Sequence, residues 1–427
     1  MSNKFILDEK EYARTARLAA AEGAVLIKND DNLLPLKKDL PVCVFGRTGL
    51  NYYKSGTGSG GMVNTKYTIG IVEALEQEGN VAVNQKLKEA YKKWSIDHPF
   101  DTGSGWAMEP WCQEEMPISD TLISEVRNES DTAIIIIGRT AGEDKDNSNT
   151  KGSYLLTDLE EEMLSKVTKA FDKTILLLNV GNIIDMNFMD RYDLSSVLYV
   201  WQGGMEGGNA VADILLGRVN PSGHLTDTIA YALDDNPVIK NFGGDIEDIY
   251  AEDIYVGYRY FETFAPDAVR FPFGYGLSYT SFKTNDEKAS YENNVIKASV
   301  LVKNIGDVKG KEVIQFYLKA PQGKLGKPKK VLIGFKKTRE LAPNEEELIE
   351  IEAKDEVYAS FDDSGVTGFK NYFVCEAGEY VVYAGNNVRD TKEIGRFKLD
   401  RYTPVINCNE IEPPAKPYKR IKPKSIG

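Results

Sequence analysis

Residues Thr132 to Tyr154 read TAIIIIGRTAGEDKDNSNTKGSY. The stretch begins with a continuous β-branched run, Ile134 to Ile137. A run so short and so apolar predicts a strand buried on both faces. It closes at Gly138 and Arg139. A polar loop follows, from Thr140 to Ser153, with Gly142 and Gly152 among several charged side chains. A helical pattern comes next, opened by Thr157 with Glu160 three residues on, which is a capping-box signature. Strand, polar loop, then helix is how open α/β sheets present chemistry, at the carboxyl ends of their strands. Glu143 lies in that loop between Gly142 and Asp144 and is the candidate catalytic residue.

The same alternation extends outward on both sides. Downstream, Thr174–Val180 and Ser196–Trp201 read as buried strands. Gly208–Gly217 reads as a helix stopped by glycine and then Pro221. Upstream, an alanine-rich helix is expected from Glu9 to Lys28, and a strand at Val42–Phe45. Helices are expected at Thr68–Glu78 and Asn84–Lys93, with irregular chain from Ser95 to Pro117. Strands alternating with helices predict an α/β fold, a mainly parallel sheet flanked by helices.

Near Tyr231 the character changes. Residues 234–285 are rich in aromatics, Asp, Gly and Pro with little periodicity. They read as a connector packed on both neighbouring domains, because tyrosines and phenylalanines favour burial. From Lys297 the alternation is of strand type, in KASVLVKN, EVIQFYLKA, KKVLIGFKKT, EELIEIEAK and YFVCEAGEYVVYAGN. Short strands at regular spacing predict an antiparallel β-sandwich. The expected divisions are an α/β domain over 1–233, the connector over 234–285, the β-sandwich over 286–400 and a Pro/Lys-rich linker over 401–427.

The chain has 427 residues, enough for two or three cores. Its formal net charge of −13 argues against nucleic acid or an anionic membrane as partner. Cys43, Cys112, Cys375 and Cys408 are scattered without metal-site spacing, and Cys43 reads as a small buried hydrophobe. No signal-peptide core or membrane-length apolar run is evident, so a cytoplasmic protein with reduced thiols is expected. With only His98 and His224, a histidine triad or histidine-rich metal site is disfavoured. No cofactor and no metal are expected. A homo-oligomer is compatible with the sequence.

The glycine-rich segment Gly46 to Asn64, GRTGLNYYKSGTGSGGMVN, lacks phosphate-loop spacing and does not fit a dinucleotide fingerprint. It reads either as a surface loop needing positive φ or as a sugar-contacting loop, with Tyr52 and Tyr53 as stacking faces. Asp144, Asp146 and Ser148 evoke calcium. Asn149 and Leu155 stand where an EF-hand loop requires Gly and Glu, so that reading fails. Glu143 alone reads as a solvated loop carboxylate; the flanking pattern points elsewhere.

Arg139-Thr-Ala-Gly142-Glu143-Asp144 resembles the acid/base motif of glycoside hydrolase family 3. Further matches follow in order: AVLIKNDDNLLPL from Ala24, SGTGSGG, VWQGGMEGG from Val200, NPSGHLTD from Asn220, then GYRYFE and FPFGYGLSYTSF before residue 283. The later strands resemble that family's fibronectin type III-like domain. The resemblance implies a retaining β-glycosidase of carbohydrate metabolism, β-glucosidase-like, acting on terminal β-linked sugars of oligosaccharides or glycosides. Glu143 would be its general acid/base. In this family the nucleophile and most sugar-gripping residues lie in a (β/α)₈ barrel, and no barrel-like sequence is present. The chain resembles the first two domains of the branch with inverted domain order. The barrel would then be a partner in cis or in trans, and the isolated chain is expected to be inactive. Arg139, Tyr52, Tyr53, Trp201 and Gln202 are the candidate substrate-binding residues. Arg139 reads equally as the partner of a structural carboxylate, and Trp201 and Gln202 equally as domain packing. The competing function is a non-catalytic carbohydrate-binding or scaffold module derived from the same family.

Overall fold

A computed structural model describes residues 8–37, 39–61, 63–77, 81–244, 246–414 and 416–423. The expected helix end at Glu78, Met62 in the glycine-rich segment, the first seven residues and the last four lie outside the described residues. The chain forms two compact units, Met1–His224 with Leu277–Tyr279, and Leu225–Gly276 with Thr280–Gly427.

The first unit is built on a six-stranded sheet. Its strands are β1 (Val25–Asn29), β2 (Leu40–Phe45), β3 (Val81–Val83), β4 (Thr132–Arg139), β5 (Lys173–Val180) and β6 (Ser196–Tyr199), in spatial order β1-β6-β5-β4-β2-β3. β2 to β6 pair in parallel and β1 runs antiparallel to β6. β4 lies in the interior of the sheet with all eight residues buried, as its apolar run requires. Helices α1 (Glu9–Gly23), α2 (Ile71–Gln77) and α6 (Gly207–Leu215) pack together. They share a core with Ile134 and Ile136 of β4, Ile175 and Leu177 of β5 and Leu198 of β6. Ile135, Ile137, Leu176 and Leu178 alternate with these and are equally buried. Side chains alternate between sheet faces, so these four belong to the other face. There α5 (Asp158–Ala170) packs on β4 and β5, with α3 (Gln85–Asp97) and α4 (Asp120–Arg127) beside it.

Asn84 caps α3 through Leu87 N–H, and Thr157 caps α5 in a complete capping box with Glu160. The first helix is shorter than the sequence reading. It ends at Gly23, and Val25–Asn29, expected as its last turn, is the edge strand β1. The β-branched and leucine run VLI buries completely in the sheet, and the tertiary pairing overrides the helical pattern. Leu277 bridges Leu26 on that edge.

The second unit is antiparallel throughout its sheets. β9 (Phe282–Glu292), β10 (Val295–Asn304) and β13 (Glu346–Lys354) form one sheet, in order β13-β10-β9. β11 (Val313–Lys319), β12 (Val331–Lys337), β16 (Gly378–Gly385) and β17 (Thr391–Leu399) form another, in order β12-β11-β16-β17. Alternate residues Ile296, Ala298, Val300 and Val302 meet Ile314, Phe316, Leu318, Tyr380 and Val382 in a common core.

Residues 225–276 belong to this unit and add the short pair β7 (Ile229–Ala230) and β8 (Val269–Phe271), and helix α7 (Tyr258–Phe264). Tyr258 stacks on Phe273 at 4.5 Å, and its hydroxyl accepts from Leu332 N–H at 2.9 Å. Not every aromatic here is buried, since Phe242 and Tyr250 are exposed.

The stretch after Asp400 is more than a linker. β18 (Thr403–Asn407) joins β14 (Ser360–Asp362) and β15 (Tyr372–Cys375) in a third sheet, order β14-β15-β18. Beyond it Ile421 N–H donates to Ala251 C=O at 2.7 Å. The prolines conceal a strand because β18 carries only Pro404, and at the sheet's edge.

Candidate active site

β4 ends at Arg139, a residue only 2% exposed. Its guanidinium donates to both Glu160 oxygens at 2.6 Å. It also donates to Ser153 C=O at 3.0 Å and Gly138 C=O at 2.7 Å. Burial works against the charge on Arg139, but Glu160 overrides it and the guanidinium titrates above its usual range. Glu160 in turn accepts from Thr157 N–H at 2.8 Å. One fork-on-fork pair therefore ties the strand end, the return of the loop and the start of α5 together. Of the two readings of Arg139, the geometry matches that of a partner to a structural carboxylate, since its donors are spent beneath the surface.

With both ends fixed, the loop presents a tight turn. Lys145 N–H donates to Gly142 C=O at 3.1 Å, and Glu143 stands exposed at the tip. Gly142 has φ of 137°, and a Cβ there would fall 2.7 Å from Thr57 O, so only glycine fits. The glycine-rich segment lies directly against this turn. Thr57 N–H donates to Ala141 C=O at 2.8 Å, and Thr57 bridges Gly142. A Cβ on Gly58 would come within 2.7 Å of Glu143 Cβ. Ser59 N–H donates to Glu143 Oε2 at 3.2 Å. Gly58 is thus needed both for its positive φ, as one sequence reading expected, and for close approach to Glu143, which neither reading included.

The remaining candidates sit at the neighbouring strand ends. Gln202 donates to Arg139 C=O at 3.2 Å. A Cβ on Gly56 would meet Ala141 O at 2.1 Å and come within 3.6 Å of Gln202 Oε1. Gln202 therefore shares the edge on which Glu143 stands. Trp201 adopts φ of 51°, and its indole N–H donates to Gly23 C=O at 3.1 Å. Tyr52 is half-buried; its hydroxyl accepts from Gly203 N–H at 2.8 Å, and burial pushes the phenol up to about 12, opposed by that bond. Tyr53 is 5% exposed, packs edge-on against Phe100, and burial raises its phenol far above the ordinary value. In this unit Tyr53 is buried in the scaffold, Tyr52 and Trp201 are half-buried with their polar atoms bonded to backbone, and Glu143 and Gln202 are the candidates gathered at the loop edge.

Two residues that the sequence reading passed over hold this arrangement. Asn179, fully buried near the end of β5, accepts from Tyr53 N–H at 3.0 Å. Its amide donates to Tyr53 C=O at 3.0 Å and Trp201 C=O at 2.6 Å. Its signal was available: an Asn closes the apolar run TILLL. Glu115 is buried under the β2 end and accepts from Arg47 N–H at 3.0 Å and Met116 N–H at 2.9 Å. Burial pushes its carboxyl up to about 7, against the pull of those two N–H groups. Among the described residues no group of three or more His, Cys, Asp or Glu converges to hold a metal ion, and no helix is long and apolar enough to cross a membrane.

Residues 24–279, which contain the whole glycine-loop and Glu143 arrangement, match the glycosyl hydrolase family 3 C-terminal domain. The chain belongs to glycosyl hydrolase family 3. Residues 312–388 match a fibronectin type III-like domain. The family 3 chain is 53% identical over 415 residues to a β-glucosidase of Ruminococcus albus, covering 97% of this chain and 44% of that protein. The solved β-glucosidase of Paenibacillus barengoltzii superimposes with a TM-score of 0.91 at 46% identity, covering 95% of this chain and 45% of that one. β-Glucosidase 3B of Thermotoga neapolitana, solved with α-D-glucose, gives a TM-score of 0.85 at 34% identity, covering 95% and 56%. The chain therefore spans about half the length of the relatives it matches.

Proposed function

We propose that this chain is the acid/base-bearing part of a retaining β-glycosidase, β-glucosidase-like, that hydrolyses terminal β-linked sugars of glycosides or oligosaccharides. The supporting observation is the exposed Glu143, held out by the glycine-rich loop at the carboxyl end of β4 in a family 3 chain.

Retaining hydrolysis needs two carboxyl groups about 5–5.5 Å apart on either side of the scissile bond. In this reading the nucleophile comes from a (β/α)₈ domain in cis or in trans. It attacks the anomeric carbon while Glu143 gives its proton to the leaving oxygen. Glu143 then removes a proton from the water that attacks the glycosyl–enzyme bond. The Ser59 N–H, 3.2 Å from Glu143 Oε2, holds that carboxyl group in place for both steps. Gln202 is the residue of the original candidate set best placed to touch the leaving group. Tyr52, Tyr53 and Trp201 act by fixing the strand ends, and Arg139 by fixing the loop. The four cysteines are free thiols, in keeping with a reducing cytoplasmic setting.

The test is an assay of the 427-residue chain alone, and again with a nucleophile-bearing barrel domain supplied, on aryl β-glucoside and β-xyloside. The proposal expects no turnover alone and hydrolysis on complementation. Hydrolysis by the pure chain alone contradicts it. Sugar binding by the chain that survives Glu143→Gln, with no hydrolysis on complementation, favours a binding module.

A further inference from the structure

We infer that Glu109 is a positioning residue for Glu143, acting through the Thr57 hydroxyl to hold the glycine-rich loop that carries Ser59 N–H. This rests on the reading of Glu143 as acid/base and extends it to a residue that no motif marks.

Glu109 lies on the irregular strap between α3 and α4. The strap is anchored at several points. Asp101 N–H donates to Gln113 Oε1 at 2.7 Å, and Gln113 Nε2 donates back to Asp101 C=O at 2.9 Å. Thr140 N–H, just past the end of β4, donates to Trp111 C=O at 2.8 Å. Arg47, just past the end of β2, donates to Glu114 C=O at 2.9 Å. Glu109 is therefore carried by backbone that is fixed to the same two strand ends as the site.

The element it restrains is intrinsically loose. Gly56, Gly58, Gly60 and Gly61 fall within six residues of one another, and Gly58 takes φ of 68°. Such backbone loses much entropy on ordering, so its position must be imposed from outside. Thr57, 1% exposed, is the point where it is imposed. Its N–H donates to Ala141 C=O, and its hydroxyl donates to Glu109 Oε2. A hydrogen bond to a carboxylate is stronger than a neutral one. Two residues further on, Ser59 N–H meets the Glu143 carboxylate. Without the Glu109 bond, Thr57 keeps only its backbone contacts, and the Ser59 amide loses its fixed place under Glu143.

The experiment has two readouts. Hydrogen–deuterium exchange on the 427-residue chain needs no activity. Glu109→Ala and Thr57→Val should exchange about 10-fold faster or more over residues 54–61, as expected for losing a hydrogen bond to a charged group. Thr57→Ser, which keeps the hydroxyl, should exchange like the parent. Unchanged exchange in Glu109→Ala and Thr57→Val overturns the inference. In the barrel-complemented protein, Glu109→Ala should lower kcat by about 10- to 100-fold with little change in KM, the scale of a mispositioned catalytic group. The loss should be larger for alkyl than for dinitrophenyl glycosides. If Glu143→Gln shows that leaving-group dependence and Glu109→Ala does not, the inference fails and the acid/base reading stands. If Glu143→Gln itself lacks it, the acid/base reading fails, and the exchange result still decides the clamp.

Discussion

At the residue scale, the site rests on two buried carboxylates with opposite electrostatics. Glu160 is matched by Arg139, with two charge-assisted bonds at 2.6 Å. Removing one member leaves an uncompensated buried charge, so Arg139→Met should destabilise the first unit by about 3–5 kcal/mol, read by urea unfolding. Glu160→Gln, which keeps the capping geometry, should cost less than Arg139→Met. Glu115 makes no such bidentate ion pair among the described residues, and burial lifts its carboxyl to about 7 from the ordinary 4.5. A folded-state pKa raised above the unfolded one contributes stability that is fully present below the unfolded value. It is lost as pH rises through the folded value. At 1.36 kcal/mol per unit, the loss between about pH 5 and pH 8 is on the order of a few kcal/mol. Glu115→Gln should abolish that part of the pH dependence. Unfolding curves of parent and variant should converge at pH 8 or cross there in the variant's favour. A parallel offset at both pH values would mean that Glu115 does not titrate in this window. Neither carboxylate was legible in full. Glu160 was visible as part of a capping box, but its tie to Arg139 spans the loop and needs the fold. Glu115 lies in WCQEEMP, where nothing local says which glutamate turns inward.

At the scale of elements, strands with a continuous apolar run were legible, because burial on both faces leaves a mark that no helix of ordinary amphipathicity shares. β4, β5 and β6 are of this kind. Helix α5 was legible from its cap. Edge elements were not. Val25–Asn29 continues a helical pattern on its N-terminal side, and only pairing with β6 makes it a strand. Val81–Val83 is too short to show periodicity, and α4 too short to stand out beside an irregular strap. β18 hid among prolines. It makes a checkable difference: truncation after Tyr402 removes the pairing of Tyr372 to Cys375 with Thr403 to Asn407. The thermal transition of the second unit should fall, whereas truncation after Cys408 should spare it more. Equal transitions would mean that the strand adds nothing. In the sheet centre, Ile136→Ala deletes a side chain 1% exposed. It should cost about 2–5 kcal/mol, the range for large-to-small changes in a close-packed core.

At the scale of the molecule, the chain is two units of different architecture. The first unit places Glu143 and its glycine cradle beyond the carboxyl end of an interior strand, β4. The second adds a β-sandwich with its own core. The chain spans about half of the relatives it matches, and in this account the other reacting carboxylate belongs to a domain outside it. The fold of both units was legible in order along the sequence. The glycine loop's role was not, since glycine content alone does not say what approaches it. The most direct test of the central claim is the reactivity of Glu143→Gln in the barrel-complemented protein, measured on a series of β-glucosides with leaving groups from alkyl to dinitrophenyl, with and without azide. General acid/base assistance is worth about 10²–10⁴-fold. The account predicts a loss of that size on alkyl glucosides, near-normal glycosylation by the dinitrophenyl substrate, and recovery of the second step by azide with β-glucosyl azide as product. An equal loss across the whole series, with no azide product, would contradict it.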